Sequence, residues 1–127
     1  MKKVNQIFLK LLDKYSSCLE KLCSFESMLR GTFSDSLIKC GKPNCWCAKD
    51  NKSGHRFIRI GWKENNISKG KAIPKDDAKW VKLMTENYRT FRKLRRELHK
   101  TEKEINDTLN IFAEENIEKT KKQKSYL

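Results

Sequence analysis

Three cysteines and a histidine stand close together in the chain: Cys40, Cys45, Cys47 and His55. The cysteines are spaced C-x4-C-x-C, and the histidine follows after seven further residues. Thiolate sulfur and imidazole nitrogen are the donors zinc prefers, four at a time in a tetrahedron. Gly41 and Pro43 lie between the first two cysteines, where the chain must turn tightly to aim both sulfurs inward. Lys39, Lys42 and Lys49 add positive charge that favours the thiolate forms. A structural Zn2+ held by Cys40, Cys45, Cys47 and His55 is the chemistry this pattern points to. Two alternatives stay open at this point. His55 is either the fourth ligand or a surface or phosphate-binding residue with the fourth ligand elsewhere, and the thiols are either ligands or free. C-x-x-C is absent, which disfavours a redox motif, and the tight C-x-C matches no standard iron–sulfur spacing. A shell of three cysteines and one histidine is closed, with no position for substrate or water. No carboxylate pair or nucleophile–base set has a specific spacing, so the chain is expected not to be an enzyme.

The elements that must position these residues are two long amphipathic helices and a small β-hairpin. Val4, Phe8, Leu11, Tyr15, Cys18, Leu22, Phe25 and Leu29 recur at alternating steps of four and three, a heptad seam over residues 1–30 that Gly31 is placed to end. Residues 31–73 break this pattern. RFIRIGW (Arg56–Trp62) alternates and is rich in β-formers, Glu64-Asn65-Asn66 can turn the chain, and ISKGKAI (Ile67–Ile73) can return as its partner. Pro74 opens a second helix over 74–116, with Asp76 and Asp77 at the positive end of its dipole. Its seam runs through Val81, Met84, Tyr88, Phe91, Leu98, Ile105, Leu109 and Phe112, with Arg95 and Glu102 as polar members. Residues 117–127 read as a basic, flexible tail. The expected fold is mainly α with a small β-hairpin: two heptad-patterned helices, in a helical hairpin or a dimeric coiled coil, flanking a cysteine-rich zinc-ribbon-like head. Trp80 is expected to pack the head against the second helix.

The chain has 127 residues, with 29 Lys and Arg against 16 Asp and Glu, a net charge of +13. Such a surplus attracts polyanions at long range, nucleic acid foremost among them. No apolar run approaches the ~20 residues of a membrane span, and Lys10, Asp13 and Lys14 break the first one before any cleavage site. The reading is a cytoplasmic protein with no membrane partner. The cysteine count of five is odd, which argues against a disulfide framework. The second helix carries Arg89, Arg92, Lys93, Arg96, Lys100 and Lys103 on the side away from the seam, a basic stripe suited to phosphates. The head adds Lys39, Lys42, Lys49, Lys52, Arg56 and Arg59, and Trp46, between two candidate ligands, offers a ring to an unpaired base.

The stretch from about Met28 to Asn106 resembles an uncharacterised family of small bacterial and archaeal proteins. Its members carry CGKPxCxC, then a His-Gly-Pro-aromatic segment, a strand pair ending in Pro-Lys, and a helix with ENYR. Here these are CGKPNCWC (Cys40–Cys47), GHRF (Gly54–Phe57), AIPKDD (Ala72–Asp77) and ENYRTFRKLRREL (Glu86–Leu98). His55 departs from the pattern, being followed by Arg56-Phe57. Such proteins are often labelled transposon-associated, and the resemblance implies mobile-element DNA as a setting. The first helix and the tail fall outside it.

Two functional readings follow. One is a small zinc-binding, nucleic-acid-binding accessory protein, linked to a mobile element or phage and gripping the backbone of DNA or RNA through a basic helix and head. The other is a non-enzymatic coiled-coil module whose seams self-associate or bind a partner protein of a nucleoprotein machine.

Overall fold

The computed structural model describes residues 2–49 and 54–127; Lys52 lies outside them. The order of elements is α1 (Lys2–Cys23), β1 (Thr32–Ile38), a single helical turn α2 (Trp46–Lys49), β2 (His55–Glu64), β3 (Ile67–Ala72), a 3-10 turn over Lys75–Asp77 and the helix α3 (Ala78–Lys121). The architecture is thus mixed α/β, with a three-stranded antiparallel sheet in the order β1-β2-β3 and a long C-terminal helix. The chain divides into a helical unit, Met1–Glu26 with Phe91–Leu127, and a sheet unit, Ser27–Thr90.

In the sheet unit the expected hairpin is present. Asn65 and Asn66 both adopt positive φ, 51° and 65°, as a two-residue hairpin turn of the primed kind requires. Asparagine tolerates that region better than other residues with a Cβ. The sequence reading missed β1. TFSDSLI has its β-formers, Thr32, Phe33 and Ile38, only at its ends, and it is held by continuous pairing with β2 from Thr32↔Gly61 to Ile38↔His55. Pairing supplies what local propensity lacks. One face of β2 is buried through Ile58 and Ile60; Ala78, Val81 and Met84 are the buried apolar residues that α3 contributes to this unit. Trp80 is exposed and does not pack as expected.

In the helical unit α1 and α3 face each other. Cys18 and Leu22 form a buried cluster with Leu98, flanked by Tyr15, Phe91 and Leu94. The Cys18 thiol donates to the Leu94 carbonyl at 3.1 Å, and Phe25 meets Phe91 edge-on at 6.0 Å between centroids. Within the chain the two helices thus pack on each other. Two boundaries differ from expectation. α1 ends at Cys23 and not at Arg30, because both the amide and the hydroxyl of Ser24 bond back to the Lys21 carbonyl and close the last turn. Phe25 and Leu29 remain half-buried in a non-helical segment, where the Leu29 amide bonds to the Met84 carbonyl. At the other end α3 continues to Lys121, through much of the expected tail.

The seam of α3 is also rotated from expectation. Arg95 and Glu102 are exposed, whereas Leu94 is half-buried and Thr101 is fully buried. A threonine can be buried in a helix when its hydroxyl bonds to the carbonyl four residues back. The Thr101 hydroxyl does so to Glu97 at 3.0 Å. Arg95 lies over the ring of Phe91, and Glu102 accepts a bond from the Tyr15 hydroxyl.

Candidate metal centre

The site is built where β1 runs out and β2 begins. β1 ends at Ile38, and Cys40 follows two residues later. Gly41 takes a left-handed φ of 81°, the region glycine enters without a Cβ penalty. The Cys45 amide then bonds to the Lys42 carbonyl and the Ala48 amide to the Cys45 carbonyl, so the chain winds into α2. This winding brings Cys45 and Cys47 back towards Cys40. His55 enters from the first residue of β2, directly opposite Ile38.

The four ligand atoms of Cys40, Cys45, Cys47 and His55 all lie within 4.8 Å of one another. The Cys40 and Cys47 sulfurs are 3.5 Å apart, and the Cys45 sulfur is 3.1 Å from His55 Nε2. Cys47 is fully buried, Cys45 and His55 are half-buried and Cys40 is exposed. The four residues singled out by spacing are therefore the four the fold brings together, and they could hold a metal ion. All five cysteines are free; Cys18 belongs to the helical core and Cys23 is exposed.

Two features of the site were not read from the sequence. The first is the Lys42 backbone amide, which bonds to the Cys40 sulfur. This bond, followed by one from Cys47, lowers the Cys40 thiol to about 7. At Cys47 the Cys40 amide pulls the other way, but burial and the neighbouring thiols win and raise it. The second is Gly54, which is buried; a Cβ there would stand 2.8 Å from the backbone of Ile38. A glycine beside a ligand is the only sequence signal for that close approach of β1.

Metals bind thiolates, so loading must displace the thiol protons. Cys40, lowered to about 7, gives up its proton more readily than Cys47, which is raised. Affinity for a divalent metal is expected to fall as pH is lowered. The loss should be about 100-fold or more per unit below pH 7, where at least two protons are released, and shallower above it, where Cys40 has already ionised. Competition with a chromophoric chelator between pH 6 and 8 measures this slope.

The remaining sequence-selected residues that the structure describes are all exposed. Lys39, Lys42, Trp46 and Lys49 surround the cluster, with the Trp46 ring edge-on to His55 at 5.0 Å. Arg56 is engaged: its Nε and Nη2 donate to the two carboxylate oxygens of Asp35 at 3.0 and 2.7 Å. That pairing lowers the Asp35 carboxyl and raises Arg56. Arg59 is exposed on the other side of the sheet, with its guanidinium over the ring of Phe57 at 5.9 Å. On α3, Arg89, Arg92, Lys93, Arg96, Lys100 and Lys103 are all exposed, as their spacing implied. His99, among them, pairs with Glu102. Among the described residues no helix is long and apolar enough to cross a membrane.

Comparison with curated proteins and with solved structures found no match. One family model matches, over residues 5–83, more than half of the chain. The match takes in α1, which the motif resemblance had left out. It also contains the whole cysteine cluster and stops before the ENYR segment. With the model matching more than half of its length, the cysteine–histidine cluster included, the chain belongs to the family described as Domain of unknown function (DUF6788).

Proposed function

We propose that the chain is a zinc-stabilised, non-enzymatic accessory protein that binds nucleic acid. The observation that carries the zinc assignment is the cluster of three thiols and one imidazole with all ligand atoms within 4.8 Å. A tetrahedral shell with Zn–S of ~2.3 Å and Zn–N of ~2.0 Å has edges of about 3.8 Å between sulfurs and about 3.5 Å between sulfur and nitrogen. The separations of 3.5 and 3.1 Å need a few tenths of an ångström of expansion, and the widest, up to 4.8 Å, a contraction of about 1 Å. Cys40, Cys45, Cys47 and His55 would hold the ion, which would tie the end of β1 to the start of β2. Four protein ligands leave no open position, which supports a structural and not a catalytic role.

The nucleic-acid part of the reading is supported by the net charge of +13 and by the exposed cations of α3 and the head. The proposed setting, a mobile element or phage, is supported by the motif resemblance alone. The test is binding of metal-confirmed protein to labelled DNA and RNA over a salt series. Affinity should fall steeply with salt. The paired substitutions Arg96→Glu and Lys100→Glu should weaken binding to all sequences alike. They should also reduce the log–log salt slope on duplex by roughly 0.9 for each phosphate that is no longer neutralised. Absence of binding at low salt would refute the reading.

A specific observation favours the coiled-coil module as a second reading. α1 carries a second apolar row, with Leu9, Leu12 and Leu19 exposed at 62%, 53% and 41%. A complex through that row would be insensitive to salt and lost in Leu12→Asp.

A further inference from the structure

We infer that the open face of the three-stranded sheet is a binding surface for single-stranded nucleic acid. This inference rests on the nucleic-acid reading above and names the ligand and the surface within it. The two faces of the sheet differ in kind. Strand alternation and the pairing register put Asp35 and Glu64, the sheet's two carboxylates, on the face that also buries Ile58 and Ile60. There each carboxylate is neutralised, Asp35 by Arg56 and Glu64 by Lys69, both at 2.7 Å.

The opposite face carries Phe57, Arg59 and Lys63 at alternate positions of β2, and all three are exposed. No carboxylate of the sheet shares that face, and neither cation makes an ion pair among the described residues. The charge is therefore segregated: paired on the covered side, uncompensated on the open side.

The open face is also flat. Between the cations β2 places Gly61, opposite Gly70 of β3. Gly70 is where a Cβ would meet the guanidinium of Arg59, its carbon at 3.0 Å. Without that Cβ the guanidinium lies down on the sheet. The same Arg59 group covers the ring of Phe57 at 5.9 Å, so aromatic face and cation form one platform. On β1 this face offers only Ser34 and Ser36 at the same level, small hydroxyls that leave the platform uncovered. At the metal end Trp46 extends the aromatic surface, its ring 56% exposed and set against His55.

A flat aromatic platform fits an unpaired base and not a duplex, whose bases present no free face. Sheet surfaces with exposed aromatics recognise single strands by stacking, with cations taking the phosphates. Successive positions on the same face of β2 are ~6.7 Å apart. Phe57, Arg59 and Lys63 thus form an extended track along one strand of the sheet.

The test measures fluorescence anisotropy with labelled dT20, U20 and a 20-base-pair duplex, using full-length protein at fixed salt with metal content confirmed. The wild type should bind a single strand about tenfold or more tightly than the duplex. Phe57→Ala should lose about 5- to 150-fold on single strands, the range for removal of one base stack, and leave duplex binding unchanged. Gly70→Val, which keeps every cation but lifts Arg59 off the sheet, should show the same selective loss. Tryptophan emission and metal content report whether each variant stays folded. Tight binding of either dT20 or U20 supports the inference, and their ranking gives the sugar. Wild-type single-strand binding by folded Phe57→Ala, with binding lost in the Arg96→Glu and Lys100→Glu variant, would overturn the inference and leave the broader reading standing. Absence of binding to all three probes would overturn both.

Discussion

Removing the proposed zinc is expected to unfold the sheet unit while leaving the helical unit largely helical. The sheet unit has few other sources of stability. Its buried apolar residues are Cys47, Ile58, Ile60, Ala78, Val81 and Met84, a small set for a segment of this size. Structural zinc in finger peptides contributes an apparent ~10–16 kcal/mol, comparable to the whole stability of an ordinary domain, about 5–15 kcal/mol. All three tryptophans, Trp46, Trp62 and Trp80, lie in Ser27–Thr90. Emission therefore reports on this unit alone. A strong zinc chelator should shift the emission to the red and abolish amide protection in β1 and β2, with most far-UV helix signal retained. Cys47→Ser should behave as the chelated wild type without chelator. Emission and protection that survive verified metal removal would show that the sheet stands on its own core and that the metal is dispensable to it.

Leu98→Ala is expected to destabilise the helical unit by about 2–5 kcal/mol, the usual range for a buried leucine. Leu98 is the α3 member of the buried cluster with Cys18 and Leu22, and Tyr15, Phe91 and Leu94 close around it. The loss should lower the urea midpoint followed by far-UV circular dichroism by more than about 1 M. Leu109→Ala is the control. It shares the heptad seam in the sequence but is 48% exposed, so its change should stay within about 0.5 kcal/mol. Equal effects of the two substitutions would mean that the seam is used along its whole length, as in a coiled coil with a second chain.

That contrast shows what the sequence could and could not disclose. A heptad pattern names a stripe, and on α1 the stripe was read correctly: Val4, Leu11, Cys18 and Leu22 are buried. On α3 the stripe admitted Arg95 and Glu102 while the fold preferred Leu94 and Thr101. Threonine looks polar in a sequence, and only the bond to Glu97 makes its burial cheap. Periodicity also ran past the end of α1, because Phe25 and Leu29 keep their spacing and part of their burial after the helix has stopped. The candidate metal ligands were the most legible feature, since four donors of two rare residue types close in sequence leave few other arrangements. β1 was the least legible. A strand with Ser34, Asp35 and Ser36 at its centre interrupts the preference of Thr32, Phe33 and Ile38 at its ends, and it is held by pairing with β2. Segregation of charge between the two sheet faces depends in turn on β1, so it could not be seen before that strand was placed.

The position of His55 has a consequence for how the sheet avoids mispairing. It forms the last rung between β1 and β2, opposite Ile38, and only Lys39 separates Ile38 from Cys40. A polar strand such as β1 carries little hydrophobic pattern to choose among alternative alignments. A slip by one residue along β2 would turn the histidine to the opposite side of the sheet and leave the shell one donor short. An ion held there would thus act as a proofreader: it would reward one alignment of the two strands and withhold its binding energy from every neighbouring one. Because Cys40, Cys45 and Cys47 close only short loops, an ion can be captured early and wait for the correct strand to complete its shell.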